Sequence, residues 1–301
     1  MERFMTAGRR RARRLRGFEF FWMTAPAVIV ILLFVEIPFL MSITNSFTKW
    51  NGLDKVAQFI GLANYKELLT ADPGFGSAMT FTLVFTVLTV AAINVLALLL
   101  AVILDMHLRG RNVLRAAFYI PNIISLIVIG YVWRFIFSRG FDSLGSLTHM
   151  GIFQLSWLGD PHLTFFSVVL VSIWQSIGFY MVIYIAGLQT VPREQLEAAV
   201  IDGAGPVNRF FRITLPLIMP SVTVAVFYSV SNALKTFDVI FSLTFGGPGT
   251  ATTSIALDIY KTAFSDNRFG YGSAKSVVLF LLILVVTVTQ LNAFKRREVQ
   301  A

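Results

Sequence analysis

Six runs of about 20 apolar residues constrain this chain more than any other feature. They fall at 20–43, 79–104, 116–137, 163–188, 217–241 and 276–294, filled mainly by Leu, Ile, Val and Phe. Twenty residues of helix rise about 30 Å, the thickness of a bilayer's hydrocarbon core. Inside lipid no water satisfies a peptide N–H or carbonyl, so each run must close its own hydrogen bonds. The period-2 alternation of a membrane β-barrel is absent. The expected fold class is therefore all-α integral membrane, with six transmembrane helices.

Composition agrees and excludes other classes. Hydrophobic residues make up 56% of the 301, above the roughly 45–50% of a soluble domain. The formal charge of +9 suggests nucleic acid, but the basic residues sit beside the apolar runs, which argues against it. Residues 1–19 hold seven arginines and read as a basic cytoplasmic tail rather than a signal-peptide n-region. The run that follows is too long for a signal peptide and lacks a cleavage site, so 20–43 reads as a first transmembrane helix. Residues 44–78 read as an external loop, 79–294 as a core of five further helices, and 295–301 as a second cytoplasmic tail. The tails and the even-numbered turns (1–19, 105–115, 189–216, 295–301) hold 16 of the 25 Lys and Arg and seven of the 16 acids. Their net charge is +9 and the rest of the chain is neutral, which places both termini in the cytosol. There is no cysteine, hence no disulfide or thiolate site, and three scattered histidines (His107, His149, His162) give no metal site.

Between the fourth and fifth runs lies 189–216, a polar segment expected on the cytosolic side. Pro192 suits a first helical turn, and Glu194 complements the helix dipole. Leu196, Ala199 and Val200 form an apolar stripe, while Glu197 projects from another face. Gly203 is placed to end that helix with φ > 0. A second short helix is expected over about 206–213, after which Leu215-Pro216 turns the chain into the fifth run. Composition alone favours an ordinary interfacial helix pair.

The spacing favours something more specific. Glu197-Ala198-Ala199, three residues, Gly203, nine residues, then Ile213-x-Leu215-Pro216 matches seven fixed positions. The segment resembles the EAA coupling loop of permease subunits of binding-protein-dependent ABC importers. The resemblance implies that Glu197, Ala198, Ala199, Asp202, Gly203, Ile213, Leu215 and Pro216 meet a separate ABC ATPase dimer. ATP and Mg would be bound there, with no cofactor in this chain and no enzymatic activity of its own. No G-x-x-x-x-G-K-[ST] string occurs, and Gly246-Gly247-Pro248-Gly249-Thr250 lacks the lysine.

The resemblance covers nearly the whole chain. Phe59-Ile60-Gly61-Leu62-Ala63-Asn64-Tyr65, Ala117-Phe118-Tyr119-Ile120-Pro121, and Phe237-Asp238-Val239-Ile240 followed by Leu243-Thr244-Phe245-Gly246-Gly247-Pro248-Gly249 resemble segments of carbohydrate-uptake permeases. The run through Gly270-Tyr271-Gly272-Ser273-Ala274 resembles the first member of their permease pair. That member's larger form has extra N-terminal spans and a big external domain, which this chain does not show. The resemblance implies a type-1 importer permease in a prokaryotic inner membrane. It implies a second homologous permease, an extracytoplasmic solute-binding protein and a sugar, polyol or sugar phosphate as substrate, with no nucleic acid partner.

Polar residues inside membrane runs are candidate pathway groups. Asn122, Gln175, Tyr180, Asn232, Lys235 and Asp238 are the candidates here. Asn94 and Ser229 are better read as helix–helix hydrogen-bonding groups, and Lys235 and Asp238 could simply pair with each other. Pro121 is expected to kink the third run beside Asn122. The alternative is an ion-coupled secondary transporter, which wants an acid at mid-membrane. The two acids inside the runs, Glu36 and Asp238, lie near outer ends. A membrane-embedded enzyme would need a nucleophile–base pair or metal cluster that the runs do not contain.

Overall fold

The computed structural model describes residues 22–106 and 108–295. The arginines of the 1–19 tail and Arg296 and Arg297 lie outside the described residues. Among the described residues, four helices are long and apolar enough to cross a bilayer: α1 (Trp22–Asn45), α3 (Pro73–Asp105), α6 (Pro161–Leu188) and α12 (Phe269–Lys295). Two further pairs pass the same test together but are sharply bent. These are α4 (Arg111–Ile123) with α5 (Leu126–Thr148), at 96°, and α8 (Pro206–Leu217) with α9 (Met219–Leu234), at 72°. Shorter helices are α2 (Ala63–Thr70), α7 (Arg193–Ile201), α10 (Asp238–Leu243) and α11 (Ile255–Tyr260). A two-residue antiparallel ribbon pairs β1 (Thr48–Lys49) with β2 (Gln58–Phe59).

Several helices begin earlier than the apolar runs do. α3 starts at Pro73, inside the stretch assigned to the 44–78 loop. Asp72 Oδ1 accepts from the Phe75 N–H at 2.9 Å, and Pro73 sits at the first helical position, where a missing N–H is harmless. Asp160 and Pro161 do the same for α6. α12 starts seven residues before 276, so Gly270–Ala274 is helix rather than loop. Gly270 allows this because its backbone lies directly against the Thr48 carbonyl, leaving no room for a Cβ.

α3 and α6 form the centre. They run parallel, with small Ala97 and Ala101 of α3 and Ala225 of α9 fully buried at the contacts and Met181 and Tyr184 of α6 filling the layer between them. α4 crosses α6 at Gly178, where a Cβ would strike the Phe118 carbonyl. α1 packs chiefly on α12, with Phe39 and Phe280 rings 4.8 Å apart, and leaves an almost wholly exposed apolar surface. That surface fits a lipid environment. Arg115 Nη2 donates to the Leu104 carbonyl at 2.7 Å and closes the C-terminal end of α3. This end of the bundle carries the 189–218 segment; the opposite end carries Asp72, Asp160 and residues 245–268.

The expected kink at Pro121 is a break. α4 ends with Ile123, and Ile124 and Ser125 are extended before α5 departs. The fifth run is also discontinuous. It ends at Leu234, turns through 235–237 and restarts at Asp238.

Candidate functional site

The two breaks face one cavity of about 320 Å³. Asn122, from the last turn of α4, lines it on one side. Gln175 and Tyr180 reach in from α6, Asn232 from the last turn of α9, and Lys235 and Asp238 from the second break. All six polar residues expected on a pathway thus come together. Irregular backbone at membrane depth is tolerated where it lines a cavity, because its freed N–H and carbonyl groups can be wetted there. Here the second break is held by its own turns. Lys235 and Thr236 N–H donate to the Asn232 and Ala233 carbonyls, at 3.2 Å each. Lys235 and Asp238 lie outside any continuous span and form no ion pair with each other, unlike the pairing considered for them.

The remaining wall is aromatic. Phe179 and Tyr228 rings stand 5.1 Å apart, and Phe237 adds a third face. Sequence reasoning missed all three, although Tyr228 is one turn from Asn232 and Phe179 one turn from Gln175. Amides, hydroxyls and aromatic faces, with one ammonium and one carboxylate beside them, suit a polyhydroxylated molecule, and the volume is at the small end for a ligand site.

Just beyond the cavity, Asn94 of α3 ties three helices together. Its Nδ2 donates to Ser229 Oγ at 2.9 Å and to the Val90 carbonyl at 2.8 Å, and its Oδ1 accepts from Tyr184 OH at 2.6 Å. Asn94 and Ser229 are therefore helix–helix contacts, as expected. Tyr184 was not anticipated as their partner.

The 189–216 segment folds as two helices at the far end. Pro192 is the N-cap of α7 rather than part of its first turn. Gly203 has φ +78°. Ala204 N–H donates to the Ala199 carbonyl at 2.9 Å and Gly203 N–H to that of Val200 at 3.0 Å. This pair of bonds is the Schellman C-cap, which requires a left-handed residue at this place. The apolar stripe differs from expectation. Ala199 is buried and Leu196 half-buried, but Val200 is 54% exposed. α8 continues through Ile213, Leu215 and Pro216 to Leu217, all four half-buried. The turn into α9 comes at Ile218 rather than at Leu215-Pro216. Glu197, Ala198 and Asp202 face outward, together with Ile201 (85% exposed), Val207 and Phe211 (61%). Such an apolar, charge-rimmed patch on an ordered segment marks an interaction surface.

A third constellation lies at the opposite end. Lys275 of α12 is buried between Asp258 and Asp72, with Nζ 2.7 and 2.9 Å from their Oδ2 atoms. Burial pushes the Asp258 carboxyl above its ordinary range, with Lys275 offsetting part of the shift. At Asp72 burial also pushes up, but Lys275, the Phe75 N–H and Tyr271 together hold the carboxyl below the ordinary value. Nearby, Arg268 grips both oxygens of Glu67 at 2.8 and 2.7 Å, and that bond raises the guanidinium further.

Comparison with known proteins agrees with this geometry. Residues 93–298 match the family model described as "binding-protein-dependent transport system inner membrane component". The chain is 39% identical over 292 residues to a probable starch degradation products transport system permease protein of Thermoanaerobacterium thermosulfurigenes, covering 97% of this chain and 99% of that protein. It is 34% identical over 272 residues to a multiple sugar-binding transport system permease protein of Streptococcus mutans, covering 90% and 93%. It is 34% identical over 277 residues to a trehalose/maltose transport system permease protein of Thermococcus litoralis, covering 92% and 93%. Among solved structures, a chain of the bacterial alginate ABC transporter, in complex with an alginate pentasaccharide-bound periplasmic protein, superposes with a TM-score of 0.79 at 21% identity, covering 91% of this chain and 93% of that one. The broken helices, the 189–218 segment and these matches lead to one conclusion: the chain belongs to the family of binding-protein-dependent transport system inner membrane components.

Proposed function

We propose that this chain is one permease subunit of an ABC importer that moves a sugar, or a related polyol or sugar phosphate, across a prokaryotic inner membrane. The observation that carries the reading is the convergence of Asn122, Gln175, Tyr180, Asn232, Lys235 and Asp238 on one cavity bounded by two helix breaks. In this reading the two bent pairs each count as one span, giving six, with both termini in the cytosol. The exposed α7–α8 segment, with Glu197, Ala198, Asp202 and Gly203 on its outer face, docks an ABC ATPase dimer. That dimer holds ATP and Mg; this chain contributes the lever. When the ATPases close, α7 and α8 move as a unit, and the hinge at Ile218 passes the motion to α9. Asn232 at the other end of α9 then shifts against Gln175 and Tyr180 of α6. A second homologous permease closes the cavity from the side this chain leaves open, and an extracytoplasmic binding protein delivers the sugar.

The names of the relatives support a carbohydrate, and the wall chemistry fits one. An ion-coupled secondary transporter is the weaker reading, since the family match is to a binding-protein-dependent system. The test is uptake by cells or vesicles carrying Gln175→Ala or Asn232→Ala. Each loses one or two hydrogen bonds to sugar, about 0.5–1.5 kcal/mol apiece, so half-saturation rises roughly 2- to 150-fold with normal ATPase assembly. Unchanged kinetics across maltose, trehalose and longer glucans for both variants would place binding on the partner subunit.

A further inference from the structure

Lys275 has no part in the cavity or in the docking segment, yet it is 3% exposed and fully engaged. Besides Asp72 and Asp258, it donates to Thr262 Oγ1 at 3.0 Å. Tyr271 OH donates to Asp72 Oδ2 at 2.7 Å, and the Lys275 ammonium stands 4.9 Å from the Tyr271 ring centre. The cluster joins three elements: the cap of α3, the short helix α11, and α12.

α11 is held from two sides. Asp258 and Tyr260 are two residues apart, about 200° around a helix, and so point in nearly opposite directions. Asp258 grips Lys275. The Tyr260 ring packs 5.4 Å from Phe237 and 5.6 Å from Phe241. At the N-cap of α11, Ser254 Oγ donates to the Thr236 carbonyl at 2.7 Å. Thr236 and Phe237 belong to the irregular wall of the cavity. A strut therefore runs from the ionic cluster to the second helix break.

We propose that Lys275 is a positioning residue that clamps α11 against the start of α3 and so fixes the 235–238 wall of the cavity. Two carboxylates facing each other across a buried gap repel, and a buried charge is tolerated only when it is paired. Lys275 satisfies both at once. Removing it leaves Asp72 and Asp258 as opposed charges and pushes α11, with its hold on the wall, outward. Neutralising Asp258 at the same time removes that push. The functional consequence rests on the cavity being the pathway, but the geometry can be tested without any transported solute.

The chain has no cysteine, so Thr236→Cys gives this subunit a single thiol at the wall. Its modification rate by 2-aminoethyl methanethiosulfonate is measured on the assembled importer, without sugar or nucleotide. Adding Lys275→Met should raise the rate about tenfold or more, and Lys275→Met with Asp258→Asn should return it to within about threefold of the parent, while Lys275→Arg stays near the parent. An unchanged rate in Lys275→Met overturns the proposal. So does an increase that Asp258→Asn fails to reverse, since general loosening behaves that way. If Lys275→Met does not assemble, Lys275→Gln keeps a hydrogen-bonding side chain but leaves the two carboxylates opposed, and a parental rate there overturns the proposal. Normal uptake effects of Gln175→Ala and Asn232→Ala alongside such a failure would leave the cavity reading intact.

Discussion

Replacing Gly203 gives the sharpest test of the docking segment, because space and backbone conformation can be separated there. An added Cβ at Gly203 meets nothing of this chain within 4 Å, so the penalty within this chain comes from φ +78°. A non-glycine residue in the left-handed region costs about 1–2 kcal/mol, and a β-branched one falls toward the upper limit of about 3. Asparagine tolerates this region and should cost least. If the Schellman cap sets the angle between α7 and α8, the docking-competent arrangement loses population by that amount. Val at 203 then weakens ATPase association by roughly 30- to 150-fold, Ala by roughly 5- to 30-fold, and Asn by only a few-fold. Co-purification of the ATPase from detergent, titrated with its concentration, reads this order directly, and ATP hydrolysis stimulated by loaded binding protein should follow it. Wild-type association in Gly203→Val, or an order that tracks side-chain size with Asn as damaging as Val, refutes the reasoning.

Two further outcomes follow from buried polar groups. Asn94→Leu strands Tyr184 OH and removes the bond to Ser229 Oγ, which keeps its own bond to the Val226 carbonyl; interhelical hydrogen bonds in membranes contribute about 0.6 kcal/mol and at most about 1.7, so the complex loses roughly 1–3 kcal/mol. Much of that loss should return in Asn94→Leu with Tyr184→Phe, read as the thermal aggregation midpoint in detergent. The second concerns pH. Asp72 is held below its ordinary value of 3.8, so its ionised form adds stability that is fully present above 3.8 and is lost as pH falls through the lower folded value. The advantage of wild type over Asp72→Asn should be constant from neutral pH down to about that point and shrink below it. An advantage that grows on acidification contradicts the assignment.

Much of the site was legible because helical periodicity and end signals act locally. Gly203 could be assigned a left-handed cap from its place after an amphipathic helix. Asn94 and Ser229 could be assigned to helix contacts because a mid-membrane amide must find a partner. What failed was set by the rest of the fold. Asp72-Pro73 lies in the stretch read as a loop and Asp160-Pro161 just before the fourth apolar run, yet each dipeptide supplies an N-cap and a first helical residue. Lys275 stands one residue outside the apolar run that was drawn, and its carboxylate partners are 17 and 203 positions away in sequence. Val200 was placed in one apolar stripe with Leu196 and Ala199 from helical spacing alone. In the structure it faces out, away from this chain's core.

The central claim is that the cavity at the two helix breaks is the transport path, and one measurement addresses it most directly. Asn232→Cys places a single thiol on the cavity wall of a chain that has none. In the assembled importer, reaction of that thiol with 2-aminoethyl methanethiosulfonate should block uptake. Transported sugar under turnover should slow the reaction, while a sugar that is not taken up leaves the rate unchanged. If the thiol is fully modified and uptake proceeds at the unmodified rate, with no protection by the transported sugar, the path lies elsewhere.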